Sequence, residues 1–135
     1  MSQTTSVPYI NFNGRTREAL TFYQQAFGGD LSFKAMTPNG PQLAGPADRI
    51  MHGSLKSGDI CVMGTDGTPN YPLQHGENIA IALTGNNVEQ LIVAFNKLAE
   101  GGEIMQALEK ESWGDTFGFV VDKFGINWMI NITSN

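Results

Sequence analysis

The stretch "GFVVDKFGINWMIN", Gly118 to Asn131, joins two apolar runs through an Asp-Lys-Phe-Gly turn, and so reads as a β-hairpin. In its second arm Trp128 and Ile130 alternate with Asn127, Met129 and Asn131. Side chains on a strand project to opposite faces in turn, so the bulky apolar pair belongs on one face and the amides and thioether on the other. The first face is expected to pack, the second to look toward a ligand. In the turn, Asp122 is expected to bond to backbone while Lys123 stays solvated.

Upstream of this hairpin the pattern runs strand, helix, strand. "NIAIALT" alternates as a strand. "NVEQLIVAFNKLAE" is an amphipathic helix with Asn86 or Asn87 as N-cap, and Gly101-Gly102 stops it before the strand-like "EIMQALEKE". The first half has the same order: "VPYINF", then "RTREALTFYQQAF" stopped by Gly28-Gly29, then "DLSFKAMT", "RIMHGSLK" and "DICVMGTD". Phe22 and Phe95 lie 73 residues apart, as do Gly28 and Gly101, while Gly58 and Gly125 lie 67 apart. The shrinkage falls in the Pro/Gly-rich stretch "PNGPQLAGPAD", where an inserted loop is tolerated. The expectation is an α+β fold of two βαβββ modules, about 7–66 and 77–133, joined by a linker of about 67–76 in one domain spanning 1–135. Helices on the outside would leave a curved sheet around a cup. A plain α+β sandwich with a filled interior is the alternative.

The chain has 135 residues, 41% hydrophobic and 16% charged, an ordinary globular composition. Lys and Arg number 8 against 13 Asp and Glu, a net charge of -5 without clusters, which argues against nucleic acid or an anionic membrane as partner. No apolar run reaches a membrane-spanning length, and "MSQTTSVPY" lacks the basic start and apolar core of a signal peptide. The single Cys61 excludes an intrachain disulfide and fits a reducing compartment, so a cytoplasmic location is expected.

Three stretches, "PYINFNGRTREALTFYQQAFGGDL", "RIMHGSLKSGDICVMGTDG" and "WGDTFGFVVDKFGINWMIN", resemble the PhnB-like branch of the vicinal oxygen chelate superfamily. That superfamily includes glyoxalase I, bleomycin-resistance proteins and extradiol dioxygenases. The resemblance implies paired βαβββ modules, a cup-shaped site and a homodimer. In the superfamily's enzymes one ligand each on the first, fourth, fifth and eighth strands binds a divalent metal. Carried over, these positions fall on Tyr9, Met63, Asn78 and Met129, with Asn11 and Asn127 beside them; Ile79, Ile81 and Leu83 would form the buried stripe of the fifth strand. Phenol, amide and two thioethers lack the carboxylate and imidazole donors that a hard divalent ion needs, so neither metal nor cofactor is expected.

Other residues carry chemistry of their own. Alternation in "RIMHGSLK" sets Ile50, His52, Ser54 and Lys56 on one face, so His52 is a candidate general acid or base in the cup, or a histidine tied to its neighbours at a sheet rim. Trp113, next to Gly114 and Asp115, either stacks on a flat ligand or buries at a dimer interface. His75 and Glu77 fall in or beside the linker, and Cys61 has no positive neighbour in sequence to activate it. There is no glycine-rich phosphate loop after a strand, no Cys pair at zinc spacing and no nucleophile elbow. Three functions remain open. The first is a metal-free small-molecule binder whose cup is lined by Tyr9, Asn11, His52, Met63, Asn78, Trp113, Asn127 and Met129. The second is an enzyme using His52 as acid or base on a small metabolite. The third is a divalent-metal lyase or dioxygenase.

Overall fold

The computed structural model describes residues 5–46, 48–67, 76 and 78–134; His75 and Glu77 lie outside the described residues. The chain divides into two compact units, Met1–Leu73 and Gln74–Asn135. The first contains β1 (Tyr9–Asn11), α1 (Thr16–Phe27), β2 (Asp30–Thr37), β3 (Gly40–Leu43), β4 (His52–Ser57) and β5 (Ile60–Thr65). The second contains β6 (Ile81–Gly85), α2 (Val88–Leu98), β7 (Glu103–Lys110), β8 (Thr116–Val121) and β9 (Asn127–Ile132). The five-stranded sheet runs β1-β5-β4-β2-β3 and the four-stranded sheet β6-β9-β8-β7. Each is mixed: β1 runs parallel to β5 and β6 parallel to β9, while the other pairs are antiparallel. Without β3 the two orders are identical, so the repeat seen in the sequence is a repeat of topology.

The strand β3 is where expectation and structure part. The Pro/Gly-rich insertion supplies an extra strand that turns back along β2, with Lys34 opposite Leu43 and Ala35 opposite Gln42. Pro41 can sit there because β3 is an edge strand, and an edge tolerates a missing donor.

The helix side of each sheet is fixed by glycines that let it pack closely. A Cβ built on Gly53 would press on Leu20 and Thr16 of α1, and one on Gly64 would press on Phe12 and Thr16. Gly53 and Gly64 are cross-strand partners, so this is the face that α1 covers, with Leu55 and Val62 buried on it. In the second unit a Cβ on Gly118 would press on Phe95 of α2. Its partner Ile130 shares that face with Trp128, and both are fully buried.

The two helices begin differently. Asn87 Oδ1 accepts from Gln90 N at 3.1 Å, so Asn87 is the N-cap of α2. At α1 the N-cap residue Arg15 makes no side-chain capping bond. The carboxylate of Asp66, just past β5, accepts instead from Thr16 N at 3.0 Å and from Ile50 N at 2.7 Å. A buried anion at the helix start answers both the orphan donors and the positive end of the helix dipole. Burial alone raises the Asp66 pKa. The Thr16 side chain, the two N–H donors and the Arg49 charge outweigh that and hold it below the usual 3.8. The Thr16 hydroxyl favours the carboxylate by proximity, without a well-formed hydrogen bond of its own.

Candidate functional site

Because Gly53 and Gly64 point to α1, the intervening residues point away from it. On the helix-free face of the first sheet stand Tyr9 and Asn11 of β1, Cys61, Met63 and Thr65 of β5, His52, Ser54 and Lys56 of β4, and Asp30, Ser32 and Lys34 of β2. The face is a grid. One row across four strands reads Tyr9, Met63, Ser54, Ser32, each a register partner of the next. His52 lies in the adjoining row with Lys34 as its partner. The rings of Tyr9 and His52 stack, 6.0 Å between centroids and 21° between planes. Tyr9 keeps 58% of its surface exposed, while His52 and Met63 are half-buried. Among the described residues no side-chain hydrogen bond or ion pair holds the His52 imidazole.

The expected face for His52, Ser54 and Lys56 is the one observed, but Ile50 does not join them. The strand begins only at His52, and Ile50 is buried with its N–H on Asp66. Capture by a carboxylate breaks the alternation two residues before β4.

On the helix-free face of the second sheet Asn127, Met129 and Asn131 lie opposite Val121, Phe119 and Phe117 of β8, with Ala82 and Thr84 of β6 on the other side. Asn127 Nδ2 donates to Ile79 O at 2.9 Å and Asn131 Nδ2 to Asp115 Oδ2 at 3.0 Å. Two amides read as ligand contacts thus already hold their own unit together; Met129 is the half-buried member free of such a bond. Trp113 sits in the turn between β7 and β8, which Glu111 N closes on Asp115 O at 2.7 Å, and the indole is 64% exposed. It packs into neither wall of its own unit.

Asn78 is the member the structure sets apart. It is exposed and lies ahead of β6, which starts at Ile81, and Ile79 is 78% exposed instead of joining the buried stripe. In register, Tyr9 pairs with Met63 and Ala82 pairs with Met129, so Ala82 is the counterpart of Tyr9 in the second unit. The same 73-residue offset that aligns Phe22 with Phe95 aligns Tyr9 with Ala82, a signal already present in the sequence. The set at the resemblance-implied positions becomes a phenol, two thioethers and a methyl group. These do not fit a hard divalent cation, which takes oxygen or imidazole donors. Among the described residues no three His, Cys, Asp or Glu side chains gather to hold a metal.

Sequence reasoning passed over Ser32 and Lys34. The alternation of "DLSFKAMT", with Phe33 on the helix side opposite Gly53, was enough to place them on the open face. Phe117 and Phe119 were likewise findable from the alternation about Gly118.

Residues 8–130 match the model of the Glyoxalase/Bleomycin resistance protein/Dioxygenase superfamily. Protein YjdN of Escherichia coli K12 is 29% identical over 139 residues, covering 93% of this chain and 92% of its own. The crystal structure of protein PA1353 from Pseudomonas aeruginosa is similar at a TM-score of 0.81 and 37% identity, over 97% of this chain and 98% of that one. A PhnB protein from Bacillus cereus has a TM-score of 0.74 at 21% identity, over 96% and 100%, which shows a shared fold.

Proposed function

Since this chain belongs to the Glyoxalase/Bleomycin resistance protein/Dioxygenase superfamily, we propose that it binds a small organic molecule on the helix-free face of its first sheet, without a resident metal. The observation that supports this most is the Tyr9–His52 stack, an accessible aromatic pair on a polar face whose reverse side is packed solid under α1. Aromatic rings offer area at low entropic cost, and unpaired polar groups beside them fix orientation. Met63, between Tyr9 and Ser54 in register, supplies an adaptable apolar floor. Asn11, on the same face, belongs to the proposed ligand-contacting set; in the second unit Met129, on the helix-free face of its own sheet, and the exposed Trp113 remain candidates in their own right.

Binding is preferred to acid–base catalysis by His52 because the imidazole, although stacked on Tyr9, has no hydrogen-bonding partner among the described residues to fix its tautomer. A general base ordinarily has a partner that fixes its tautomer and direction. The unengaged ring nitrogens nevertheless keep catalysis as the second reading. A thermal-shift screen of small metabolites and antibiotics tests the proposal, because a ligand at 100 times its Kd adds about 2.7 kcal/mol to stability. A screen without any stabilising compound would sink it. With a hit in hand, His52→Ala is expected to weaken binding modestly; turnover abolished by the same change would favour the second reading.

We also propose a homodimer in the cytoplasm. Strands β3 and β7 are sheet edges, and β7 exposes Ile104 and Met105. Open edges with apolar side chains are commonly covered by another chain. No helix of the described residues is long and apolar enough to cross a membrane.

A further inference from the structure

We infer that the helix-free face of the first sheet holds an oxyanion on a four-residue cluster, Lys34, His52, Ser32 and Ser54, and that its ligand is a planar aromatic acid. This rests on the proposal that this face binds a small molecule. Lys34 pairs with His52 and Ser32 with Ser54 across β2 and β4. Their neighbours Phe33 and Gly53 pair on the helix side, so all four side chains rise from the open face. Partners across a sheet stand about 5 Å apart at Cβ, and successive rows on one face about 7 Å apart. The four therefore outline a patch of the size of a carboxylate with its hydrogen-bond shell.

The chemistry of the patch is that of donors. An ammonium, two hydroxyls and an imidazole N–H can all point at one anion, and charge-assisted bonds of this kind are the strong ones. None of the four side chains makes a hydrogen bond or ion pair within the described residues. The ion pairs found there are local pairs elsewhere, Arg15–Glu18 and Lys97–Glu100. An exposed Lys34 without a counter-ion among the described residues, in a chain of net charge -5, is a position that an acidic ligand can complement. The flanking charges do not reverse this. Lys56 stands beyond Ser54 with Asp30 as its cross-strand partner, and the two roughly cancel. Asn11 and Thr65, toward β1, are uncharged.

The shape of the ligand follows from the Tyr9 ring. It lies against His52 at one side of the patch and is largely exposed. From Ser54 through Met63 to Tyr9 is two strand spacings, about 10 Å. A bicyclic aromatic acid spans that distance, its ring on Tyr9 and Met63 and its carboxylate among the donors.

Calorimetric titration at low ionic strength with 2-naphthoate and its uncharged analogue 2-naphthylmethanol tests this, on the wild type and on Lys34→Gln. The acid is expected to bind about tenfold or more tighter than the alcohol, since a bond to a charged group contributes about 1.5–3 kcal/mol. Lys34→Gln, an exposed position, should remove most of that preference and leave the alcohol unchanged. Equal affinity for the two probes, or a Lys34→Gln protein that keeps the preference, overturns the anion cluster while leaving the face a binding surface. Failure of both probes to bind overturns the inference as well; the broader proposal falls only with a metabolite screen that returns nothing.

Discussion

At Asp66 a single carboxylate, 5% exposed, accepts from the start of α1 and from the residue leading into β4. Asp66→Ala would leave two buried N–H groups without an acceptor, at about 1–3 kcal/mol each, read as a lower urea midpoint at constant slope. The same group gives the first unit an acid limit. Its folded pKa is depressed, so its contribution is complete above the usual 3.8 and is lost as pH falls through the lowered value. Asp66→Asn should flatten that acid loss in an unfolding titration below about pH 4. Asp122 does comparable work in the second unit. Its Oδ1 accepts from Phe124 N and Ile126 N, and its Oδ2 accepts from Trp128 Nε1 at 2.8 Å. The turn bonding was legible from an Asp in a hairpin. The indole bond was not, because residues six apart meet only once the hairpin folds. Trp128→Phe is expected to cost about 1–3 kcal/mol. With Asp122→Ala the double variant should lose less than the sum, since both changes remove one interaction.

Among the elements, alternation carried most of the information. In β9 it correctly separated Trp128 and Ile130 from Asn127, Met129 and Asn131, and in β4 it separated His52 and Ser54 from Leu55. It failed where a strand stopped being a strand. Ile50 is drawn to Asp66, and Asn78 and Ile79 precede β6. Alternation cannot say where pairing ends, because pairing depends on a partner strand distant in sequence. The strand β3 was missed because Pro and Gly read as loop, although an edge strand accepts them. Helix-to-sheet approach gives this scale its own prediction. A side chain at Gly53 must displace Leu20, Thr16 and Phe33, so Gly53→Val should destabilise by about 1–3 kcal/mol of overpacking. Ser54→Val, one residue away but on the open face, should change stability by under about 0.5 kcal/mol. Equal losses in thermal unfolding would contradict the assignment of faces.

For the whole molecule, the repeat was readable because glycine pairs and aromatics recur at 73 residues, and apart from the added β3 the two sheets share one strand order. The chemistry was less readable. The resemblance supplied metal positions, but only register shows that Ala82 takes the place given to Asn78. Light scattering is expected to give twice the 14.6 kDa chain mass, and a purely monomeric peak would remove the proposed dimer. The central claim is that ligand lies on the open face around Tyr9 and His52. It is tested most directly by NMR with labelled methyl groups and imidazole, titrating in the compound that most raises the melting temperature. The Met63 methyl and the His52 ring should shift with the bound fraction, while Leu55 and Val62, buried on the other side of the same sheet, stay in place. Saturable binding that leaves Met63 and His52 unmoved would contradict it.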